Sequence, residues 1–198
     1  VLTVAWEDTD CSPSTQLWIP PLGEGTITVD GCYEQLLVGP ERMFLGSVPS
    51  RLPAEVNAEM TCVSIQVARV YQRLGYVGRC SFDFIRKDGN LRFVECNGRW
   101  GGTSTPMHLV DRVVPGARPA YRARDVVEPS LVGAPFSEVV RRLGDSLYIP
   151  KTRKGDFLVY NVGPLLTHGK FDVIALGSSY DQATFALEEK LPSLLRNS

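Results

Sequence analysis

The sequence has few of the features that mark a specialised class of protein. Its five cysteines form no C-x-x-C pair, and an odd count without metal-ligand spacing argues against a disulfide framework and a structural zinc site. The formal net charge is −1, which gives no electrostatic case for a nucleic-acid partner. No apolar run approaches the ~20 residues that span a bilayer, so we expect no membrane partner.

Three further absences concern chemistry and origin. Ser12 and Ser14 have no His and Asp in a triad-like order, which argues against a hydrolase. No signal peptide opens the chain, so we expect a cytoplasmic protein. The chain begins with Val1 instead of Met, inside the strand-like run "VLTVAWED", so we expect the natural protein to continue upstream.

What is present is typical of a globular protein. The 198 residues are 43% hydrophobic and 22% charged, which is enough for a proper core in one large domain or two small ones. Strand-like segments come first, then one long helix, then strands and helices again. This order predicts an α+β fold with a mostly antiparallel sheet packed with helices.

One long helix is predicted from near Pro53 to Gly75. Pro fits the first turn of a helix and Gly fits the position after its end. Apolar residues recur at spacings of three and four, as expected for one buried stripe: Val56, Met60, Val63, Val67, Val70 and Leu74.

The other elements are shorter. We predict strands at 16–19, in "DFLVYNV" and in "KFDVIALG", and short helices at 107–114 and 136–143. A last helix starts at Ser179, where Ser179-x-x-Gln182 resembles a capping box. Residues 118–135 have few periodic apolar positions, so we expect a loop there.

Residues 81–102, "SFDFIRKDGNLRFVECNGRWGG", read as a hairpin with an acid inside each strand, Asp83 and Glu95. The turn decides whether the acids meet. A two-residue Asp88-Gly89 loop would place them on opposite faces. A three-residue loop with Gly89 left-handed would place Asp83 opposite Phe93 and put both acids on one face, as diagonal neighbours.

Two carboxylates on one dry face repel each other and are costly to bury without a cation. Mg²⁺ typically takes one or two carboxylates together with substrate phosphates. The acids therefore make sense if the hairpin holds Mg²⁺ for a nucleotide. In that case we expect a loop of three or five residues around Asp88-Gly89, with Gly89 at positive φ. The alternative, without a function, is that Asp83 and Glu95 face solvent and pair with Arg92 or Arg79.

The segment "GYVGRCSFDFIRKDGNLRFVECNGRWGG" resembles the metal-binding hairpin of the ATP-grasp superfamily, in which an acidic strand and a short turn precede Glu-x-Asn-x-Arg. That resemblance covers roughly residues 1–112. The stretches "CSPSTQLWIPPLGEG", "NGRWGGTSTPMHLV" and "GKFDVIALGSSYDQA" resemble a narrower group, the peptide ligases of the pheganomycin type. The resemblance implies an ATP-grasp C-terminal lobe at 1–115 and a C-terminal extension at 116–198.

The resemblance also implies a reaction. In such a carboxylate–amine ligase, ATP phosphorylates a carboxylate to an acyl phosphate, and an amine then displaces the phosphate to form an amide. The implied cofactors are ATP and Mg²⁺, with Mn²⁺ as a possible substitute. The implied partners are a small-molecule or peptide carboxylate and an amine.

Carried over to this chain, the resemblance makes Asp83, Glu95 and Asn97 the metal ligands. Arg99 is the catalytic residue, which stabilises the transferring phosphoryl group and the acyl phosphate.

Two further segments gain a role from the resemblance. Gly101, Gly102 and Thr103 would form a substrate loop whose backbone amides bind a carboxylate. Ala5, Trp6 and Glu7 would lie at the hinge that holds adenine.

The superfamily clasps ATP between two lobes, and the smaller lobe, with a phosphate-binding Lys, precedes the hinge. Nothing precedes Val1 in this sequence, so we expect the chain alone not to turn over ATP. Two other functions stay open. One is a non-catalytic nucleotide-binding module of the same fold, and the other is a different ATP-grasp chemistry such as carboxylation or phosphoryl transfer.

Overall fold

The computed structural model describes residues 8–196. They form two compact units, 8–35 with 49–104, and 36–48 with 105–196. The strands are β1 Pro13–Ile19, β2 Thr28–Val38, β3 Met43–Pro49, β4 Gly78–Lys87, β5 Asn90–Asn97, β6 Ala120–Val127, β7 Phe157–Tyr160 and β8 Lys170–Gly177. The α-helices are α1 Ala54–Arg73, α2 Ser104–Val113, α3 Phe136–Leu143, α4 Leu165–His168, α5 Tyr180–Phe185 and α6 Leu191–Arg196. The predicted α+β class is confirmed; the predicted division at residue 115 stays a prediction.

In the first unit the strands follow the order β5-β4-β1-β2, and the neighbours whose register is known are antiparallel. The β1 sequence alternates, so Leu17 and Ile19 point into a core that Phe82 and Met60 complete. Helix α1 lies over that core. The opposite face of the same strands carries polar side chains, and it is there that the acids of the hairpin lie.

The buried stripe of α1 differs from the prediction. Val56 and Met60 are buried as expected, but Val70 and Leu74 are 56% and 77% exposed. The stripe continues instead through Ser64 and Ala68. Small residues allow the helix to approach the sheet closely, and the Ser64 and Thr15 hydroxyl oxygens lie 2.7 Å apart. The boundaries at Pro53 and Gly75 are confirmed.

In the second unit the strands follow the order β3-β6-β8-β7. Strand β6 corrects the prediction of a loop over 118–135, because it pairs with β8 along its whole length, from Ala120–Gly177 to Val127–Lys170. Tyr121 and Ala123 are buried, with Arg122 between them. That alternation marks a strand, and a search for helical spacing overlooks it.

The predicted strands and helices of the C-terminal region are confirmed as β7, β8, α2 and α3. Ser179 caps the last helical segment by accepting a hydrogen bond from the Gln182 backbone amide at 3.2 Å. The Gln182 side chain bonds Ser178 and not Ser179, so only half of the predicted box forms. None of the helices within residues 8–196 is long and apolar enough to cross a membrane.

Candidate functional site

The hairpin turn is shorter than predicted. Lys87 pairs with Asn90, which leaves a two-residue loop with Asp88 at φ 51° and Gly89 at φ 79°. Both residues are left-handed, as a type I′ turn requires. The positive φ of Gly89 is confirmed, and the prediction of a three- or five-residue loop is wrong.

A β-bulge at Val94 nevertheless brings the acids together. Asp83 lies directly opposite Glu95, whereas Phe84 lies opposite Phe93, so Val94 is the extra residue. The regular ladder from the turn places Phe93 opposite Phe84 on the core face, with the two rings edge-on and their centroids 5.8 Å apart. The bulge then returns Glu95 to the polar face beside Asp83. The expected pairing of Asp83 with Phe93 is therefore wrong, and the two acids are direct neighbours, not diagonal ones.

Asp83 is half-buried and receives hydrogen bonds. The Asn97 amide nitrogen donates to the Asp83 carboxylate at 3.0 Å, and the Gln35 side chain also bonds it. Burial and, next in size, the Glu95 carboxylate raise the pKa of Asp83 to about 6, against the lowering by Gln35, Arg99 and Asn97. Two neighbouring carboxylates that are partly shielded from water favour the binding of a cation beside them.

Asn97 and Arg99 continue the network. The Asn97 side-chain oxygen Oδ1 accepts a hydrogen bond from the Arg99 guanidinium at 3.1 Å. As a metal ligand, Asn97 would have to turn that oxygen toward the carboxylates and away from Arg99. Arg79, the suggested surface partner of the acids, instead forms an ion pair with Asp30. Of the two arginines in the alternative, Arg79 is thus occupied by Asp30, and the pairing of the acids with Arg92 stays a prediction.

The segment after Arg99 is held close to this network. The Gly101 amide donates to the Ser104 hydroxyl at 3.0 Å, and that hydroxyl donates to the Gln16 side chain at 2.8 Å. A Cβ added to Gly101 would lie 3.7 Å from an Arg99 guanidinium nitrogen. The Gly101 amide is thus already bonded, and Thr103 is buried. The proposed role of Gly101, Gly102 and Thr103 in binding substrate stays a prediction.

Several residues of this face were missed by the sequence analysis. Ser14 lies opposite Asp83 in the β1–β4 pairing, and its buried hydroxyl oxygen has no hydrogen-bond partner among the described residues. The Gln16 side chain accepts a hydrogen bond from Ser104, and the Gln35 side chain bonds Asp83. The available signal was the alternation in "PSTQLWI", where Ser14, Gln16 and Trp18 share one face of the strand.

The donor set fits Mg²⁺ held jointly with a nucleotide. Among residues 8–196 no group of three or more His, Cys, Asp and Glu is arranged to hold a metal ion, so this part of the chain forms no complete protein cage. Two opposed carboxylates and a nearby amide are the partial set that Mg²⁺ combines with phosphate oxygens. The predicted hinge residues Ala5, Trp6 and Glu7 lie outside the described residues.

The raised pKa of Asp83 predicts a pH-dependent stability without divalent cations. Between about pH 4 and pH 6 native Asp83 holds a proton that the unfolded chain has released, so the free energy of unfolding falls as pH rises. The loss is at most about 3 kcal/mol at 1.36 kcal/mol per pKa unit, and less because the group is partly exposed. We expect Asp83→Asn to remove this fall, as measured by urea unfolding at pH 4.5 and 7.

The matched control is Asp88→Asn, an exposed change in the same hairpin that preserves the turn. It should leave the pH slope of the parent protein unchanged. The same slope in Asp83→Asn and in the parent protein would show that Asp83 is not the group responsible.

No family model and no curated protein matches this chain. Solved structures do match. N5-carboxyaminoimidazole ribonucleotide synthetase from Thermus thermophilus is 15% identical with a TM-score of 0.63, over 98% of this chain and 52% of that one. Carboxyaminoimidazole ribonucleotide synthase from Aspergillus clavatus, solved with ATP, is 8% identical with a TM-score of 0.62, over 97% and 52%.

Biotin carboxylase from Campylobacter jejuni is 12% identical with a TM-score of 0.58, over 90% of this chain and 44% of that one. The chain spans about half the length of the carboxyaminoimidazole ribonucleotide synthases that it matches. At these identities the likeness shows the fold alone. It is the fold that these carboxyaminoimidazole ribonucleotide synthases and the biotin carboxylase share with this chain.

Proposed function

We propose that this chain forms the metal- and phosphate-binding part of an ATP-dependent carboxylate–amine ligase. The observation that carries the proposal is the pairing of Asp83 with Glu95 on the polar sheet face. The pair lies within reach of Asn97 and Arg99, and it is where the ATP-grasp resemblance places the metal ligands. The fold shared with an enzyme solved with ATP supports the nucleotide, and the hairpin sequence supports the metal.

The proposed reaction has two steps. A substrate carboxylate oxygen attacks the γ-phosphorus of ATP, the bond to the β-phosphate oxygen breaks, and ADP leaves. An amine then attacks the acyl carbon, the phosphate leaves with its electron pair, and the nitrogen loses a proton as the amide forms. Both steps create negative charge on phosphoryl oxygens, so positively charged groups that are already in place lower both barriers.

Each residue has a stated task in this scheme. Asp83 and Glu95 would hold Mg²⁺, and Asn97 would add a neutral oxygen once its amide turns. The bound cation would supply positive charge that neutralises the phosphates. Arg99, anchored through Asn97, places its guanidinium beside the start of the Gly101 loop and stabilises the transferred phosphoryl group.

We predict that Glu95→Gln weakens binding of the Mg²⁺–nucleotide complex at least about tenfold, because a cation loses one of two charged ligands. The fold should be little affected, since the change removes repulsion from Asp83 and nearly keeps the side-chain shape. Calorimetric titration with Mg²⁺ and a non-hydrolysable ATP analogue measures the affinity. The control is Glu59→Gln on the exposed side of α1. Unchanged affinity in Glu95→Gln would remove Glu95 from the site.

The reaction itself is tested with the full-length natural protein. A ligase releases ADP and phosphate, not AMP, and only when both an acid and an amine are present. A carboxylate labelled with ¹⁸O should transfer one labelled oxygen to the released phosphate, because the acyl phosphate forms through that oxygen. ADP release that does not depend on an amine would contradict the proposal.

Carboxylation is the second candidate, since the solved structures named above include a biotin carboxylase and two carboxyaminoimidazole ribonucleotide synthases. In that case bicarbonate takes the place of the organic acid. Removal of dissolved carbon dioxide and bicarbonate separates the two reactions: a carboxylating enzyme stops releasing ADP, whereas the ligase continues.

A further inference from the structure

A large cavity lies in the second unit, among residues outside the site described above. Its volume is about 740 Å³, within the range of small-molecule sites. Apolar side chains form much of its wall, among them Val114, Pro115, Leu176 and Phe185. Phe185 is 62% exposed, so much of its ring surface on this wall is available to a ligand.

The charged side chains that line the cavity differ in whether they form an ion pair. Lys190 on its wall is already paired with Asp156. Arg153 also lines the wall, in the segment "KTRK" that brings Lys151 and Lys154 with it. Across residues 8–196 the structure gives these three loop cations no ion pair. On the wall itself Arg153 and Lys190 equal Asp156 and Asp181 in number, and Lys151 and Lys154 of the same loop add positive charge beside it.

Arg153 holds its position at a conformational cost. Its φ is +56°, a left-handed geometry that glycine or asparagine adopts more easily. The turn is closed by the Ile149 amide, which donates to the Lys154 carbonyl oxygen at 2.8 Å, and by the Arg153 amide, which donates to the Ile149 carbonyl oxygen at 2.8 Å. These two hydrogen bonds fix the backbone of the turn, and an arginine thus occupies a left-handed position that glycine would adopt without strain. Strain of this kind is common at ligand sites.

We propose that this cavity binds a small apolar carboxylic acid, whose carboxylate is read by Arg153 and whose apolar body lies against Phe185 and Leu176. A guanidinium at the edge of an apolar wall recognises such a ligand by a charge-assisted hydrogen bond together with burial of carbon surface. The site belongs wholly to the second unit. Binding there would require neither ATP nor metal, so this proposal can be tested independently of the ligase proposal.

The test uses the 198-residue chain and two probes of nearly equal shape, phenylbutyrate and phenylbutanol. Ligand-detected NMR titration without nucleotide measures both affinities. We expect phenylbutyrate to bind about tenfold more tightly than phenylbutanol, as one charge-assisted hydrogen bond predicts. Equal affinities in the parent protein would overturn the proposal.

Matched variants locate the recognition. Arg153→Gln should abolish the preference for phenylbutyrate, whereas Lys151→Gln, which removes the same charge from the same loop but not from the wall, should leave most of it. Phe185→Ala should weaken both probes equally. Loss of the preference in both charge variants would indicate only the general field of the loop and would overturn the role of Arg153.

A stability measurement separates ligand recognition from a structural role. Because glycine adopts the left-handed geometry without strain, Arg153→Gly should unfold at a Tm no lower than that of the parent protein, while losing the preference for phenylbutyrate. A marked fall in Tm would mean that Arg153 supports the fold, and the proposal would then fail.

Discussion

Arg99→Ala should lower the rate of ADP formation by the full-length protein about a thousandfold, while the affinity for the Mg²⁺–nucleotide complex changes little. Removal of one preorganised charge donor from a phosphoryl-transfer site typically lowers kcat by about 10²–10³-fold, or about 3–4 kcal/mol of transition-state stabilisation. The reason is positional. Asn97 anchors the Arg99 guanidinium next to the carboxylate pair, where the proposed reaction would develop charge on the transferred group. Coupled ADP release and nucleotide calorimetry measure the two quantities.

Two companion variants sharpen this result. Arg99→Lys keeps the charge but loses the planar fork, so we expect a rate between those of the parent protein and Arg99→Ala. Arg69→Ala removes an exposed arginine from α1 and should leave the rate unchanged. If Arg99→Ala weakened nucleotide binding as strongly as it slowed turnover, Arg99 would serve ground-state binding and not the transition state.

Gly46→Ala should destabilise the second unit by about 3 kcal/mol, near the upper end for an overpacked position. Gly46 in β3 lies opposite Arg124 in β6, and an added Cβ would lie 1.9 Å from the Ala123 carbonyl oxygen and 2.8 Å from the Arg124 Cα. Both atoms belong to the backbone, so no side-chain rotation relieves the overlap. The two strands must separate, and the pairing between them weakens.

Chemical unfolding measured by tryptophan fluorescence and circular dichroism tests this prediction. Gly163→Ala is the matched control, because a Cβ there meets nothing within 4 Å. It should change the free energy of unfolding by no more than about 0.5 kcal/mol. If Gly46→Ala were equally mild, the close approach of β3 to β6 would not exist in solution.

Local patterns predicted much of the fold. The apolar spacing and the flanking Pro53 and Gly75 located α1, and Ser179 located the start of the last helical segment. What failed depended on packing partners that are distant in the sequence. The buried face of α1 turns toward Ser64 and Ala68 because the sheet beneath it comes close, and β6 is a strand because β8 pairs with it. A single sequence names neither partner.

The site was predicted in part, and for an incomplete reason. We expected a longer turn to bring Asp83 and Glu95 to one face of the sheet. The two acids do share a face, but a bulge at Val94 brings them together and the turn is short. No propensity marks Val94 as a bulge, since valine is typical of regular strands. Gln35 and Ser14 approach Asp83 from other strands of the sheet, so only the strand order could reveal them.

The bulge at Val94 makes the position of the acid pair independent of the length of the hairpin tip. Residues 84–93 form a regular antiparallel ladder closed by a two-residue turn, and the phase of the strand is reset only after them. Because hydrogen-bonded and non-hydrogen-bonded pairs alternate along the ladder, the same two-residue turn closes it again only after two residues are added to or removed from each strand, and Asp83 then still lies opposite Glu95. One residue inserted between Val94 and Glu95, with the bulge kept, would instead place Glu95 opposite Phe82 on the core face and remove it from the site. Natural variation in hairpin length should therefore occur in steps of two residues per strand within residues 84–93.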